Sequence, residues 1–240
     1  ILVCPDDISV EPGQGNLSYV VNCGFGWTVP VDCAATIHAT SHTTATITPL
    51  DFNGNGVICP IDPVVDGSDP DIQIFEKLGL FFVENWPVGS GTVRHHRFAS
   101  LEDGATNTIM LGENIRAGYD PVTQSSWGTP DVRYIGFLCS GTVCRDGRCD
   151  ADGVDYGRAI DSQSLPAKQE ALNSSLDQPE GLAPWPSSLH AGRINFAFCD
   201  GRVKPLNPSI DGGVYAALLS PRGSSITGPL AQKLLSDSDY

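Results

Sequence analysis

Residues 51–62, DFNGNGVICPID, have the residue types and spacing of a metal-binding loop. They follow the register of an EF-hand-type calcium loop, in which oxygens at fixed positions surround the ion and a glycine permits the sharp turn between them. A plain Asn-Gly turn is the alternative, because the two glycines alone would make one and the loop supplies only two carboxylates. The pattern predicts calcium as a cofactor, with the ligands Asp51, Asn53, Asn55, the Val57 carbonyl and Asp62.

A histidine and an aspartate flank a β-like run in SLHAGRINFAFCDGRVKPL, residues 188–206. An extended chain advances about 3.3 Å per residue, which puts His190 and Asp200 on the order of 30 Å apart and excludes a catalytic dyad. A catalytic histidine here would need an acid from elsewhere in the chain. The Asp200-Gly201 pair predicts a type I′ turn between strands near 193–199 and 202–206. His190 is then expected to be a hydrogen-bonding residue where the first strand begins.

Other polar clusters give weaker signals. The stretch RDGRCDADGVD, residues 145–155, could hold a second cation, or it is a solvated acidic loop. His95 and His96 are adjacent on a predicted strand and would point to opposite faces, so they would not easily share one metal. The common hydrolase, zinc-protease and nucleotide-binding motifs do not occur. The sequence therefore predicts no enzyme and no catalytic residue.

Charge and cysteine content limit the partners and the compartment. The 240 residues carry a net charge of −14, which argues against nucleic acid as a partner because phosphates require a basic patch. The chain has no run of 18 apolar residues and starts at Ile1 without a signal peptide, so we expect a true N-terminus upstream. Eight cysteines predict four disulfides in an oxidising compartment, with metal thiolates as the intracellular alternative.

Short strands dominate the predicted elements, without strand–helix–strand alternation. This pattern favours an α+β fold with mainly antiparallel strands. A short helix is predicted at 69–78, with Asp69 as N-cap and Gly79 as its end. A second short helix is predicted near 229–235. The predicted strands, besides those of the hairpin, are 17–21, 44–48, 79–83, 92–98 and 106–113.

Five stretches in order resemble a bacterial family that is abundant in planctomycetes and is classed as a domain of unknown function, with a loose solute-binding-like label. Its members carry a prepilin-type N-terminal helix and a C-terminal H-x9-D-G motif. The matching stretches are CPDD at 4–7, LSYVVNCG at 17–24, LEDGATNTIMLGE at 101–113, SLHAGRINFAFCDGRV at 188–203 and IDGGVYAALLSPRGSS at 210–225.

The resemblance implies one pilin-like head domain over residues 1–240, with insertions at about 34–70 and 140–187. The N-terminal pilin helix is absent from the given chain, and a membrane would be reached only through it. The family has no established activity, so no catalytic residue is carried over. Asn107 and His190, in the two Asp-Gly motifs, fit structural roles that tie loops down.

Three functions follow as hypotheses. The first is a structural subunit of an extracellular, self-assembling pilin-like filament or pseudopilus, stabilised by disulfides and calcium. The second is a cell-surface module that binds glycans or proteins through aromatics such as Trp127 and Trp185. The third is a metal-dependent hydrolase that would use His95, His190 or Asp200.

Overall fold

A computed structural model describes a set of segments that includes the five stretches of the family resemblance. The described residues are 3–8, 17–25, 27–29, 33–41, 44–49, 70–82, 96–117, 135–139, 144–145, 148–149, 172–173, 176, 185–227 and 231–240.

Strands are the main elements of the described residues. In chain order they are β1 (Leu17–Asn22), β2 (Trp27–Val29), β3 (Cys33–Ser41), β4 (Thr44–Pro49), β5 (Ile109–Ala117), β6 (Gly136–Phe137), β7 (Cys144–Arg145), β8 (Arg148–Cys149), β9 (Ile194–Phe198) and β10 (Val203–Leu206). Within the described segments, the helices with described bounds are α1 (Pro70–Leu78) and α2 (Gly212–Leu219), and short 3₁₀ turns lie at Phe98–Ser100 and Gly223–Ser225.

A five-stranded sheet organises the fold, with the strand order β10-β9-β5-β1-β6. All neighbours in it are antiparallel except β1 and β6, which run parallel. Strands β2, β3 and β4 form a separate antiparallel sheet, and β7 pairs with β8. The predicted α+β class with mainly antiparallel strands is therefore confirmed.

The main hydrophobic core covers one face of the five-stranded sheet. Alternation along β9 buries Ile194, Phe196 and Phe198, and helix α2 adds Tyr215, whose ring centroid lies 6.2 Å from that of Phe196. Full burial of each such side chain contributes about 1.5–3 kcal/mol. Other fully buried members of this core are Val20, Phe25, Leu78, Ile109, Phe137, Leu218 and Leu219.

Asn22 joins three elements at the centre of this core. Its side-chain amide, fully buried, donates to the Ile109 carbonyl at 2.7 Å and to the Leu219 carbonyl at 2.8 Å. Its side-chain oxygen accepts from the Gly24 N–H at 2.8 Å. One amide thereby satisfies the end of α2 and the start of β5, as buried backbone groups require.

The hairpin of β9 and β10 is confirmed, but its turn type differs from the predicted one. Gly201 has φ +87°, whereas Asp200 is not among the described residues with positive φ, so a type I′ turn is excluded. Gly201 N–H donates to the Phe198 carbonyl and Phe198 N–H donates to that of Arg202, which is a three-residue loop with a glycine bulge. Asp200 instead accepts from the Arg202 N–H at 2.9 Å.

Two predicted strands are wrong where the structure describes them. Residues 79–82 form no strand, because the N–H groups of Leu80 and Phe81 both donate to the single carbonyl of Asn22. In the stretch predicted as a strand at 92–98, residues 96–97 are irregular and Phe98 begins a 3₁₀ turn. The predicted strand at 106–113 begins later, at Ile109, because Asn107 N–H closes a turn onto Gly104.

The helix predicted near 229–235 is also wrong for residues 231–235. The Leu235 carbonyl accepts from the Asn107 side chain at 3.0 Å, so a tertiary partner replaces a helical one. Helix α2, by contrast, was missed. It is apolar almost all round and therefore lacks the periodic pattern that marks a surface helix. Asp211 caps it by accepting from Val214 N–H at 2.9 Å.

The prediction that all eight cysteines pair as disulfides is wrong for Cys4, Cys23, Cys139 and Cys199, the four whose side chains are described. They are buried and form no disulfide. Three of them are packed in different places, since Cys139 joins the main core, Cys23 joins a small cluster with Leu138, and Cys4 contacts a histidine. Burial raises the pKa of Cys23 to about 12. Disulfides among the remaining cysteines stay a prediction.

Among the described residues, no helix has both the length and the apolar character needed to cross a bilayer.

Candidate functional site

Strand β5 turns one carboxylate away from the main core. A Cβ on Gly112 would lie 2.8 Å from the Phe196 ring, so residue 112 faces the core and Glu113 faces the opposite side of the sheet. Glu113 is nevertheless only 1% exposed. Strand β9 supplies its partners, since Asn195 donates from its backbone to Oε2 at 2.8 Å and from its side chain to Oε1 at 3.1 Å.

A tight turn before β9 places the His190 side chain next to the Glu113 carboxylate. The Arg193 N–H donates to the His190 carbonyl, and Gly192 adopts φ +65° within the turn. The His190 N–H donates to the Ser188 hydroxyl at 3.1 Å. This geometry brings His190 Nε2 to 3.2 Å from Glu113 Oε1.

The N-terminal segment, residues 3–8, closes the site from the other side. The Asp7 N–H donates to the Cys4 carbonyl, and the buried Ser18 hydroxyl on β1 donates to Asp7 Oδ2 at 2.5 Å. The resulting turn places Asp6 Oδ2 2.9 Å from His190 Nδ1. It also places Cys4 Sγ 3.5 Å from His190 Nε2.

The imidazole of His190 therefore lies between two acids of very different burial. Asp6 is 63% exposed on its side chain, whereas Glu113 is buried. Tyr19 pairs with Glu113 across β1 and β5. Burial, a hydrogen bond with Cys4 and the neighbouring acidic groups raise the pKa of Tyr19 to about 12. The phenol consequently stays protonated at neutral pH beside these groups.

A thiol, a carboxylate and an imidazole converge in what we call the Cys4–Glu113–His190 cluster. Their ligand atoms all lie within 4.8 Å of one another. Thiolate, imidazole and carboxylate are the three side-chain groups that bind zinc. Cys4 is 5% exposed, which leaves a substrate little access to its sulfur. The arrangement suits a bound ion or a buried hydrogen-bond network better than a reaction at the thiol.

The prediction that His190 and Asp200 do not pair is confirmed. Asp200 accepts from the Arg202 N–H, whereas the acids that meet His190 are Asp6 and Glu113. The structural role predicted for Asn107 is also confirmed, since its side chain donates to the Asp103 and Leu235 carbonyls.

Most other predicted site residues lie outside the described residues. These are the calcium-loop residues Asp51, Asn53, Asn55, Val57 and Asp62, the aspartates of 145–155, His95 and Trp127. Trp185, predicted as an exposed binding aromatic, is 2% exposed, so that prediction is wrong.

Sequence reasoning missed Cys4, Asp6 and Glu113 as partners of His190. The signal was present, because all three lie in stretches that carry the family resemblance. Reading those stretches as separate turns and strands concealed that the chain brings them together.

The comparisons with known proteins give a family and no function. Residues 1–213 match the family model described as protein of unknown function (DUF1559). Neither the curated proteins nor the solved structures yielded a match.

Proposed function

The chain belongs to the family of unknown function DUF1559, and from this premise we propose that it is the globular head of a structural subunit in an extracellular, self-assembling pilin-like filament or pseudopilus. Its assembly partners are then further copies of the same chain. An upstream apolar helix would make the membrane contact. The calcium loop at 51–62 and disulfides among the remaining cysteines would stabilise the head.

The observation that carries the proposal is the attachment of the N-terminal segment to the sheet. In a pilin-like subunit, load passes from an N-terminal helix into the head, so the joining segment must be fixed. Asp7 bonds with Ser18 on β1, and Asp6 bonds with His190 ahead of β9. Strand β1 neighbours the central strand β5. Load entering at residues 4–7 would spread into several paired strands at once.

The net charge of the chain supports the same proposal, and the contacts of Trp185, His190 and Asp200 bear on its alternatives. A net charge of −14 suits an exposed surface in contact with divalent cations. The alternative of a glycan-binding module loses one of its two named aromatics, because Trp185 is buried. The residues of the hydrolase hypothesis that the structure describes have separate partners: Asp200 accepts from the Arg202 N–H, and His190 meets Asp6 and Glu113.

Immunogold electron microscopy of cells that produce the full-length protein tests the proposal. We expect label along ordered surface fibres, and fewer or shorter fibres in Ser18→Ala, which removes the donor that fixes Asp7. Ser236→Ala is the matched control. It removes a hydroxyl that donates to Asp239, far from the N-terminal segment in sequence. Label found only on dispersed single chains, with no fibre in any strain, would refute a filament subunit.

A further inference from the structure

We propose that Cys4, Glu113 and His190 form a zinc site that clasps the N-terminal segment to the sheet. This inference is independent of filament assembly, because it concerns the head alone.

The distances in the cluster match those of a tetrahedral zinc site. With Zn–S near 2.3 Å and Zn–N and Zn–O near 2.0–2.1 Å, tetrahedral angles put sulfur and nitrogen about 3.6 Å apart and nitrogen and oxygen about 3.3 Å apart. The structure has 3.5 Å between Cys4 Sγ and His190 Nε2. It has 3.2 Å between His190 Nε2 and Glu113 Oε1. Two edges of the coordination tetrahedron are thus already formed.

The hydrogen bond on the far side of the His190 ring sets which nitrogen faces the cluster. Asp6 accepts from Nδ1 of His190, so Nε2 is the nitrogen that faces the cluster. In the neutral imidazole with its proton on Nδ1, Nε2 has a lone pair, which is the form that binds a metal ion. A zinc ion between Nε2, the sulfur of Cys4 and the carboxylate of Glu113 would satisfy all three electron-rich atoms.

The surrounding residues have the roles that zinc sites assign to groups behind the ligands. A carboxylate that accepts from the other ring nitrogen orients a ligating histidine, and Asp6 holds this position on His190 at 2.9 Å. Ligating carboxylates are themselves hydrogen-bonded, and Asn195 holds both oxygens of Glu113.

The mixed ligand set selects the metal. Calcium and magnesium require oxygen ligands, whereas thiolate with imidazole and carboxylate suits zinc. Three protein ligands leave a fourth position for water. Because Cys4 and Glu113 are almost fully buried, the ion has little contact with a substrate. Its effect is to join residues 186 positions apart in the chain, which is the kind of long loop that a cross-link stabilises most.

Metal content is the first test. The purified chain, reduced and loaded with zinc, is dialysed against metal-free buffer and analysed by mass spectrometry for zinc per chain. We expect the wild type to retain one more zinc than Cys4→Ser. Cys199→Ser is the matched control, because it removes a buried thiol outside the cluster and should keep the wild-type content. Equal zinc in the wild type and Cys4→Ser would overturn the proposal.

Cobalt substitution is the second test, and it identifies the ligands. Cobalt in this site should show a sulfur-to-cobalt charge-transfer band and the intense visible bands of a tetrahedral ion. Both should persist in Cys199→Ser and disappear in Cys4→Ser. A wild-type spectrum without the charge-transfer band would overturn the proposal.

Asp6→Asn is a second variant that tests the site in the case that Cys4→Ser fails to fold, because the Asp6 side chain is exposed. Asp6→Asn changes a group that does not touch the metal and should leave the circular dichroism spectrum unchanged. It should keep the charge-transfer band while zinc affinity falls about 10- to 100-fold, as for other groups behind the ligands. Unchanged affinity in a folded Asp6→Asn variant would contradict the assigned geometry.

Discussion

Single polar side chains join separate elements of this protein through hydrogen bonds to backbone groups. Asn22 satisfies the ends of two elements, and Asn107 holds the C-terminal residues 231–240 through the Leu235 carbonyl. Asp103, which is 7% exposed, accepts from both the hydroxyl and the N–H of Ser224. Loss of such a partner leaves a buried group unsatisfied, which costs about 1–3 kcal/mol. Asp103 and Asn107 of the stretch 101–113 are therefore engaged in hydrogen bonds within the head.

The environment of His96 makes the stability of the head depend on pH. Its ring contacts Phe82, and burial lowers its pKa from the ordinary value, with the charge of Arg222 acting in the same direction. As the pH falls below about 6.5, the unfolded state takes up a proton that the folded state resists. Stability that is fully present above this pH is therefore lost during acidification through the folded pKa.

Urea unfolding at pH 7.5 and pH 5.5 measures this effect. We expect the wild type to lose more stability between the two conditions than His96→Gln, by less than about 1 kcal/mol because the ring is only partly buried. The acidic groups contribute equally to both proteins, so the difference between the two losses isolates His96. Identical losses in both proteins would contradict the assignment.

Close contact between elements depends on two glycines at the ends of β1 and α1. Gly24 has φ +68°, and a Cβ there would lie 2.2 Å from the Leu78 carbonyl. A Cβ on Gly79 would lie 2.8 Å from the Cys23 carbonyl. Backbone therefore packs directly on backbone where α1 ends. This contact, which no periodic pattern signals, replaces the strand predicted at 79–83.

Gly24→Ala should destabilise the head by about 3 kcal/mol or more, since backbone strain adds to a clash that only backbone movement can relieve. Gly201→Ala is the matched control, with φ +87° and no atom within 4 Å of the added Cβ. Gly201→Ala introduces backbone strain without a steric clash, so it should lower the free energy of unfolding by about 1–2 kcal/mol. Denaturant titration of both variants measures their free energies of unfolding. Equal losses would show that the close contact of residue 24 with the Leu78 carbonyl does not add to the backbone strain.

The molecule as a whole combines a strongly acidic chain with one described cluster of metal-ligand type. The 28 acidic residues exceed the 14 basic ones twofold, so the folded state concentrates negative charge that bound cations relieve. Zinc in the cluster and calcium in the loop at 51–62 differ in ligand chemistry and are separable by experiment. Each would stabilise the folded head by mass action.

Calcium binding to the loop at 51–62 should raise the melting temperature of the protein when the zinc concentration is held constant. With a dissociation constant of about 1 mM, typical of extracellular sites, about 10 mM calcium adds about 1.4 kcal/mol, or about 3–6 °C for a chain of this size. Asp51→Ala should abolish the rise, and magnesium is the control ion. An equal rise in the melting temperature of Asp51→Ala would show that residues 51–62 form only an Asn-Gly turn and no calcium site.

The sequence alone determined the features that depend on near neighbours. Alternation in INFAFC and TATIT predicted β9 and β4, and the proline and glycine around 70–79 predicted α1, because local pattern and backbone preference decide such elements. It also excluded the His190–Asp200 dyad, since a strand's rise per residue is a local property.

Only the tertiary structure decided which residues meet His190. Cys4 and Glu113 approach it through the order and register of β1, β5 and β9, including the shifts between Leu17 and Tyr19 and between Ile109 and Leu111. A shift of one residue in a strand reverses which side chains face the core, and hydrophobic period does not reveal where a bulge falls. Contacts across 186 residues therefore had to come from the folded chain.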